Sequence, residues 1–245
     1  MDKLLQIKDM SLEYKHFRLD SVSFSCEPGD IIGLIGINGA GKSTTINAIL
    51  NIVEPDAGSV LWKGKEVLKN DISEFREQVG FVGENICYYP PITLKKILGF
   101  MSRIYSNWDD KRASKLLKLF NLNTTKRMRE LSTGMRVKFN LLIAMSHNAD
   151  IYILDEPTSA LDIHNREQII LILKEQLAKG KTLITVTHDY HLARELGGKM
   201  LVMYQGAIME EGPVAKLLES PSQAYSQDLI LGNPYERLVR QDAGM

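Results

Sequence analysis

Apolar and polar positions alternate along residues 3–26, with Leu5 and Ile7 and then Val22, Phe24 and Cys26 at every second place. That period of two predicts half-exposed strands. Residues 29–35 then run almost wholly apolar, as a buried strand does, and Ile46, Ile49 and Leu50 after them share one helical face. The Glu54-Pro55-Asp56-Ala57-Gly58 stretch predicts a turn, and residues 59–62 open a hairpin that turns at Gly64-Lys65. Asp71 with Glu74 makes a capping box for a short helix ahead of a strand over 79–82. From about 90 to 148 the pattern is helical, with Ala113, Leu116, Leu117 and Phe120 on one face. A buried strand at 151–154 follows. Then come a helix carrying Ile169, Ile170, Leu173 and Leu177 that stops at Gly180, and a strand over 182–186. A last pair, 200–204 and 207–210, turns at Gln205-Gly206. Strand and helix alternating in this way predict a parallel α/β core, with the block from about 90 to 148 inserted into it.

The chemistry begins where the 29–35 strand ends. Gly36-Ile37-Asn38-Gly39-Ala40-Gly41-Lys42-Ser43-Thr44 lies between that strand and the following helix, the layout a nucleoside triphosphate needs. Glycines at 36, 39 and 41 let successive backbone N–H groups turn into one concavity, and the helix adds its positive dipole end. Lys42 supplies a point charge for the outer phosphates, and the Ser43 hydroxyl can hold magnesium. A Gly-x-Gly alone would be a weak signal; the full string in this context indicates a protein that binds ATP or GTP. The strand at 151–154 ends in Asp155-Glu156. A buried strand has little reason to end in paired acids unless a cation or a proton donor sits there. Asp155 suits the magnesium shell, directly or through water, and Glu156 suits polarising an attacking water.

Composition narrows the setting. Thirty basic and thirty acidic residues leave no formal net charge, so no global field draws the chain to nucleic acid or anionic lipid. The local run Lys126-Arg127-Met128-Arg129 beside Glu130 reads as a solvated helix end. Cys26 and Cys87 are the two cysteines, which reads as reduced thiols in a cytosolic chain rather than a disulfide scaffold. The first residues are too polar for a signal peptide, and nowhere do about 18 apolar residues run together as a membrane span requires.

Leu131-Ser132-Thr133-Gly134-Met135 precedes a further amphipathic run and makes a second helix mouth with a small hydroxyl residue. Alone it is a good helix cap. In chain order with the P-loop and the paired acids it becomes a second phosphate reader, and the chain here resembles the ATP-binding cassette family, the ATPase subunits of ABC transporters. The resemblance covers about residues 3–215. The family's Leu-Ser-Gly-Gly-Gln is met at Ser132 and Gly134, which would cap the γ-phosphate of ATP held by a partner subunit; Thr133 and Met135 depart from it. Ser159-Ala160-Leu161-Asp162 looks like the D-loop that crosses the dimer interface. Thr187-His188-Asp189 resembles the switch histidine that contacts the γ-phosphate. Tyr14 matches the aromatic that stacks on adenine, with Phe17 the runner-up. Glu84 stands where the family has a glutamine that senses magnesium. Glu84 and Met135 together resemble exporters of drugs, antibiotic peptides and polysaccharides more than importers.

The resemblance implies a P-loop NTPase core with a mainly parallel sheet, an antiparallel β subdomain and an inserted α-helical subdomain, over residues 1–215. A short helical tail at 216–245 leaves no room for an importer-type regulatory domain. It implies ATP and Mg²⁺ as ligands, a second ATPase subunit and a separate multi-span permease as partners, and a place on the inner face of the cell membrane. Lys42, Glu156 and His188 would carry catalysis. The competing expectation is a soluble ATPase of this family, such as a cofactor-assembly ATPase.

Overall fold

The computed structural model describes residues 3–67, 72–83, 88, 90–158 and 161–232. They divide into two compact units, residues 1–72 with 182–245, and residues 73–181. The chain enters the first unit through β1 (Leu5–Tyr14), β2 (Phe17–Cys26), β3 (Ile31–Ile35), α1 (Lys42–Ile49), β4 (Ala57–Trp62) and β5 (Lys65–Glu66). The second unit holds α2 (Ile72–Glu77, all but its first residue), β6 (Val79–Val82), α3 (Leu94–Ile104), α4 (Asp110–Leu119), α5 (Thr133–Ser146), β7 (Ile151–Asp155) and α6 (Ile163–Leu177). The chain returns to the first unit as β8 (Thr182–Val186), α7 (Tyr190–Leu196), β9 (Lys199–Tyr204), β10 (Ala207–Pro213), α8 (Val214–Glu219) and α9 (Ala224–Leu231).

In the first unit β1 pairs antiparallel with β2 and β4, in the order β2-β1-β4-β5. The alternation read in the sequence is the reason: Leu5, Ile7, Val22, Phe24, Cys26, Val60 and Trp62 are buried, while Lys8, Ser21 and Ser23 beside them are exposed. Shifts of register near Asp9 and Ser21, both with positive φ, twist this sheet. The β4–β5 hairpin turns one residue earlier than expected. Lys63 (φ 48°) and Gly64 (φ 79°) form the turn and Lys65 already belongs to β5. Two consecutive left-handed residues give the turn twist that suits adjoining strands, and Lys63 accepts that conformation although it is not glycine. In the second sheet β3 lies between β9 and β8, parallel to both, and β10 closes antiparallel on β9. Ile35, Met200, Val202, Val214, Leu217, Leu218 and Ile230 pack with Tyr190 and Ala193, and α9 adds Tyr225, Leu229 and Leu231 to their edge.

The β9–β10 turn falls where expected, at Gln205 (φ 45°) and Gly206 (φ 84°). Gly206 also does something a hairpin tip does not require. Its N–H donates to the Ala40 carbonyl (3.0 Å), and its carbonyl accepts from Asp20 N–H (2.9 Å). A Cβ there would lie 1.8 Å from the Arg18 carbonyl oxygen, so only glycine fits.

In the second unit β6 and β7 pair in parallel. Helices α3 and α4 start at side-chain caps, Thr93 and Asp109, and α4 packs on α5. Buried His147 joins the end of α5 to β6: its Nε2 lies 3.0 Å from the Val79 carbonyl, and its ring stacks on Tyr105 at 3.9 Å. Asp71 of the expected capping box lies outside the described residues. Among the described residues no helix is long and apolar enough to cross a membrane.

Candidate functional site

The P-loop leaves β3 at Gly36, where a Cβ would sit 2.3 Å from the Met203 carbonyl oxygen, so the backbone passes β9 at a distance no side chain allows. Ala40 N–H closes a turn onto the Ile37 carbonyl (3.1 Å), and Gly41 (φ 107°) caps α1. Helix α1 has no side-chain cap and no acid in its first turn. Helix geometry points its leading N–H groups out of the helix end, and no acid in the first turn offsets the positive end of its dipole. This is the chemistry of an anion site, and the residues fit the triphosphate that the sequence implies. The loop is built around Lys42, which is buried. Its Nζ donates to the Gly36 carbonyl at 2.7 Å and to the Ile37 carbonyl at 3.0 Å. An anion at the helix mouth would compete with these carbonyls for the ammonium. Ser43 stands exposed at the mouth, with Thr44 half-buried beside it.

The structure brings His188 to this loop. It follows β8, and its Nε2 lies 3.1 Å from Asn38 Oδ1. Burial first, and the Lys42 charge second, hold the imidazole below its ordinary pKa, so the neutral ring is favoured. Asp189 accepts from Leu192 N–H at 3.1 Å and so caps α7, while its own N–H donates to Thr187 Oγ1 at 2.9 Å. The Thr187-His188-Asp189 segment is thus clamped on both sides of the histidine. Tyr14 is 46% exposed at the end of β1, and its ring centroid lies 6.4 Å from that of Phe17. Phe17 reaches the loop: a Cβ on Gly41 would come 3.0 Å from its Cζ.

The second unit carries the acids. Residues 151–154 are fully buried, and Asp155 and Glu156 are the first half-buried positions as β7 ends. Glu156 adopts φ 50°, a left-handed conformation that costs a non-glycine residue roughly 1–3 kcal/mol. Such strain persists where the surroundings hold it and turns the chain sharply at the strand's end. Ser132 caps the 14-residue α5, its Oγ accepting Met135 N–H at 3.3 Å, and α5 too has no acid in its first turn. Ser132 is exposed and Gly134 half-buried. Asp162 caps α6: Oδ1 accepts Asn165 N–H and Oδ2 accepts Asn165 Nδ2, both at 2.8 Å. These bonds, the backbone one foremost, hold its carboxyl below the usual range. Lys138 of α5 donates to Asn165 Oδ1 and links the two helices. No local pattern announces that link, since Lys138 and Asn165 lie on different helices.

Glu84, Ser159 and Ala160 lie outside the described residues. Among the described residues no three histidine, cysteine or acidic side chains gather as a protein-made metal cage. Ser43 in the first unit offers a hydroxyl and Asp155 in the second a carboxylate, each an oxygen donor of the kind magnesium accepts beside phosphate and water.

A strand, a glycine loop and an uncapped helix, with a strand ending in two acids, define a P-loop ATPase. The chain belongs to the ABC transporter family, whose profile matches residues 19–159. It is 31% identical over 249 residues to the ABC-type transporter ATP-binding protein EcsA of Bacillus subtilis, covering 98% of each chain. It is 30% identical to the methionine import ATP-binding protein MetN 1 of Oenococcus oeni, covering 97% of this chain and 73% of that one. Among solved structures, the ATP-binding subunit of an ABC transporter superposes with a TM-score of 0.83 at 26% identity, covering 94% of this chain and 98% of that one. The dimeric post-hydrolysis cassette MJ0796 bound to ADP and Pi superposes at 0.77 and 26% identity, over 86% and 98%. The protein is therefore the nucleotide-binding subunit of a transporter, with the ABC ATPase fold, and it couples ATP hydrolysis to transport.

Proposed function

We propose that two copies of this subunit enclose ATP between them and drive export through a separate multi-span permease. The observation that carries the reading is the pair of helix mouths of like chemistry, α1 at the P-loop and α5 at Ser132, neither offset by an acid in its first turn. One mouth suffices to hold a nucleotide; a second, exposed one suits the nucleotide of a partner copy. The relative MJ0796 was solved as a dimer, which supports the same arrangement.

In this reading residues 1–215 form the ATPase domain, with 90–148 as its helical part and 216–245 as a tail. Residues 36–44, Asp155, Glu156 and His188 meet ATP from one subunit. Ser132, Gly134 and the Asp162 segment approach from the other, and Tyr14, or Phe17 beside it, stacks on adenine. Ser43, Asp155 and Glu84 would hold magnesium, which when bound offsets the phosphate charge. Glu156 takes the proton of the water whose oxygen attacks the γ-phosphorus as the bond to the β,γ-bridging oxygen breaks and ADP leaves, and the neutral ring of His188 orients the γ-phosphate. ATP closes the pair because its phosphates join both faces, and loss of the γ-phosphate removes that link.

Phe100 (59% exposed) and Ile104 (51%) stand one turn apart on α3 and offer an apolar face to a membrane subunit on the inner side of the membrane. The export direction rests on Glu84 and Met135, since relatives such as MetN 1 are named for import. The test is purification of the tagged chain from membranes. Recovery with a multi-span protein is expected, followed by stimulation of the reconstituted ATPase by compounds added on the ATPase side. Stimulation only from the opposite face would indicate import. Recovery with no membrane protein would favour a cofactor-assembly ATPase.

A further inference from the structure

Helix α9 lies outside every motif, yet it reaches the P-loop. The Ile37 N–H donates to the Tyr225 hydroxyl at 3.3 Å, across 188 positions of sequence. That N–H belongs to the same peptide group as the Gly36 carbonyl, which accepts Lys42 Nζ at 2.7 Å. A single peptide plane at the loop's entrance is therefore held at one end by the lysine and at the other by α9. The Tyr225 ring is itself fixed, lying against Tyr204 with centroids 4.3 Å apart. The start of α9 is fixed as well: the Glu210 carboxylate accepts Ser222 N–H (2.8 Å), Ser222 Oγ (2.7 Å) and Gln223 N–H (3.2 Å). On its inner face Ile230 is fully buried.

We propose that Tyr225 is a positioning residue for ATP binding, holding the 36–37 peptide when Lys42 leaves the loop carbonyls for phosphate. The inference rests on the P-loop being the ATP site. Without nucleotide the peptide has both anchors. When the ammonium turns to a phosphate the carbonyl anchor is given up, and the hydroxyl of Tyr225 becomes the hold that keeps the first turn from rotating. Gly36 makes this hold necessary, because a glycine allows rotations about its own backbone that other residues resist. The hydroxyl thus matters more to the nucleotide-bound loop than to the empty one.

The test compares Tyr225→Phe with Ser222→Ala in the full chain. The first keeps the ring on Tyr204 and removes the bond to the loop. The second removes one bond at the start of α9 and touches nothing in the loop. Both should lower the melting temperature of the nucleotide-free protein only slightly. Tyr225→Phe should raise the KM for ATP by about three- to fivefold, the part of the bond that the nucleotide-bound loop feels beyond the empty one, with kcat moving far less. It should also shrink the rise in melting temperature that Mg–ATP produces. Ser222→Ala should leave KM at the wild-type value. An unchanged KM in Tyr225→Phe, or an equal rise in Ser222→Ala, would overturn the proposal. Failure of wild type itself to bind ATP would instead overturn the reading of the P-loop on which it rests.

Discussion

Ser132 offers the sharpest separation between a residue that builds a helix and one that reads a phosphate. Its Oγ accepts Met135 N–H at 3.3 Å in an exposed position, a long bond for a cap. Ser132→Ala should therefore cost about 1 kcal/mol or less, a fall in melting temperature of about 2–4 °C for a chain of this size. Ser132→Asp separates the two roles. Aspartate caps as well as serine does, and since α5 has no acid in its first turn the new charge should add about 0.3–1 kcal/mol through the helix dipole. The isolated subunit should then be as stable as wild type or more so. If Ser132 faces the γ-phosphate of a partner's ATP, the same carboxylate meets like charge. At a separation of about 4 Å and an effective dielectric near 20 the repulsion is about 4 kcal/mol, enough to suppress closure roughly 10³-fold. The assay pairs thermal melting with ATP-dependent dimerisation, followed by sedimentation or light scattering in a hydrolysis-deficient background. A stable Ser132→Asp protein that still dimerises in ATP like wild type refutes the reasoning and leaves Ser132 a helix cap.

Glu156→Gln should lower steady-state phosphate release by at least about 100-fold, with ATP affinity kept and an ATP-bound dimer accumulating. A variant that keeps a tenth of wild-type turnover would place the base elsewhere. Stability should also depend on pH through two histidines. Burial, the largest cause in each, holds His147 and His188 below their ordinary value of 6.5. The unfolded chain then binds more protons than the folded one below that value. This contribution to stability is full above about pH 6.5 and is lost as pH falls towards the folded values. Urea midpoints measured from pH 7.5 to 5 should decline, less so in His147→Gln, and a flat profile in wild type would contradict the assignment.

What was legible in the sequence was whatever is contiguous. The P-loop, the paired acids after residues 151–154 and the Ser132 cap each consist of neighbouring residues whose spacing alone dictates a strand end or a helix start. The alternation in β1 and β2 likewise names its own buried face. Three features were not legible, for different reasons. Lys63 takes a left-handed conformation that propensity assigns to glycine, so the hairpin was expected one residue late. Asp162 reads as part of an interface loop, but its carboxylate is occupied by Asn165, a local competition for hydrogen bonds that composition does not decide. The bond between Tyr225 and Ile37 joins residues brought together only when α8 and α9 fold back over β9, and no periodicity encodes such a meeting.

Two hairpins of the first unit look alike as sequence at their tips, Lys63-Gly64 and Gln205-Gly206, yet they differ in what an engineer could do with them. Around Gly64 an added side chain would meet nothing within 4 Å. That tip is the natural place to insert a tag or a fluorophore, or to open new chain termini by circular permutation. Gly206 donates its N–H to the Ala40 carbonyl and accepts the Asp20 amide on its own carbonyl, so it works as a rivet through β2 and the nucleotide loop. An insertion there would loosen the phosphate cradle from a point about 160 residues away in sequence, although the tip has the form of an ordinary two-residue turn.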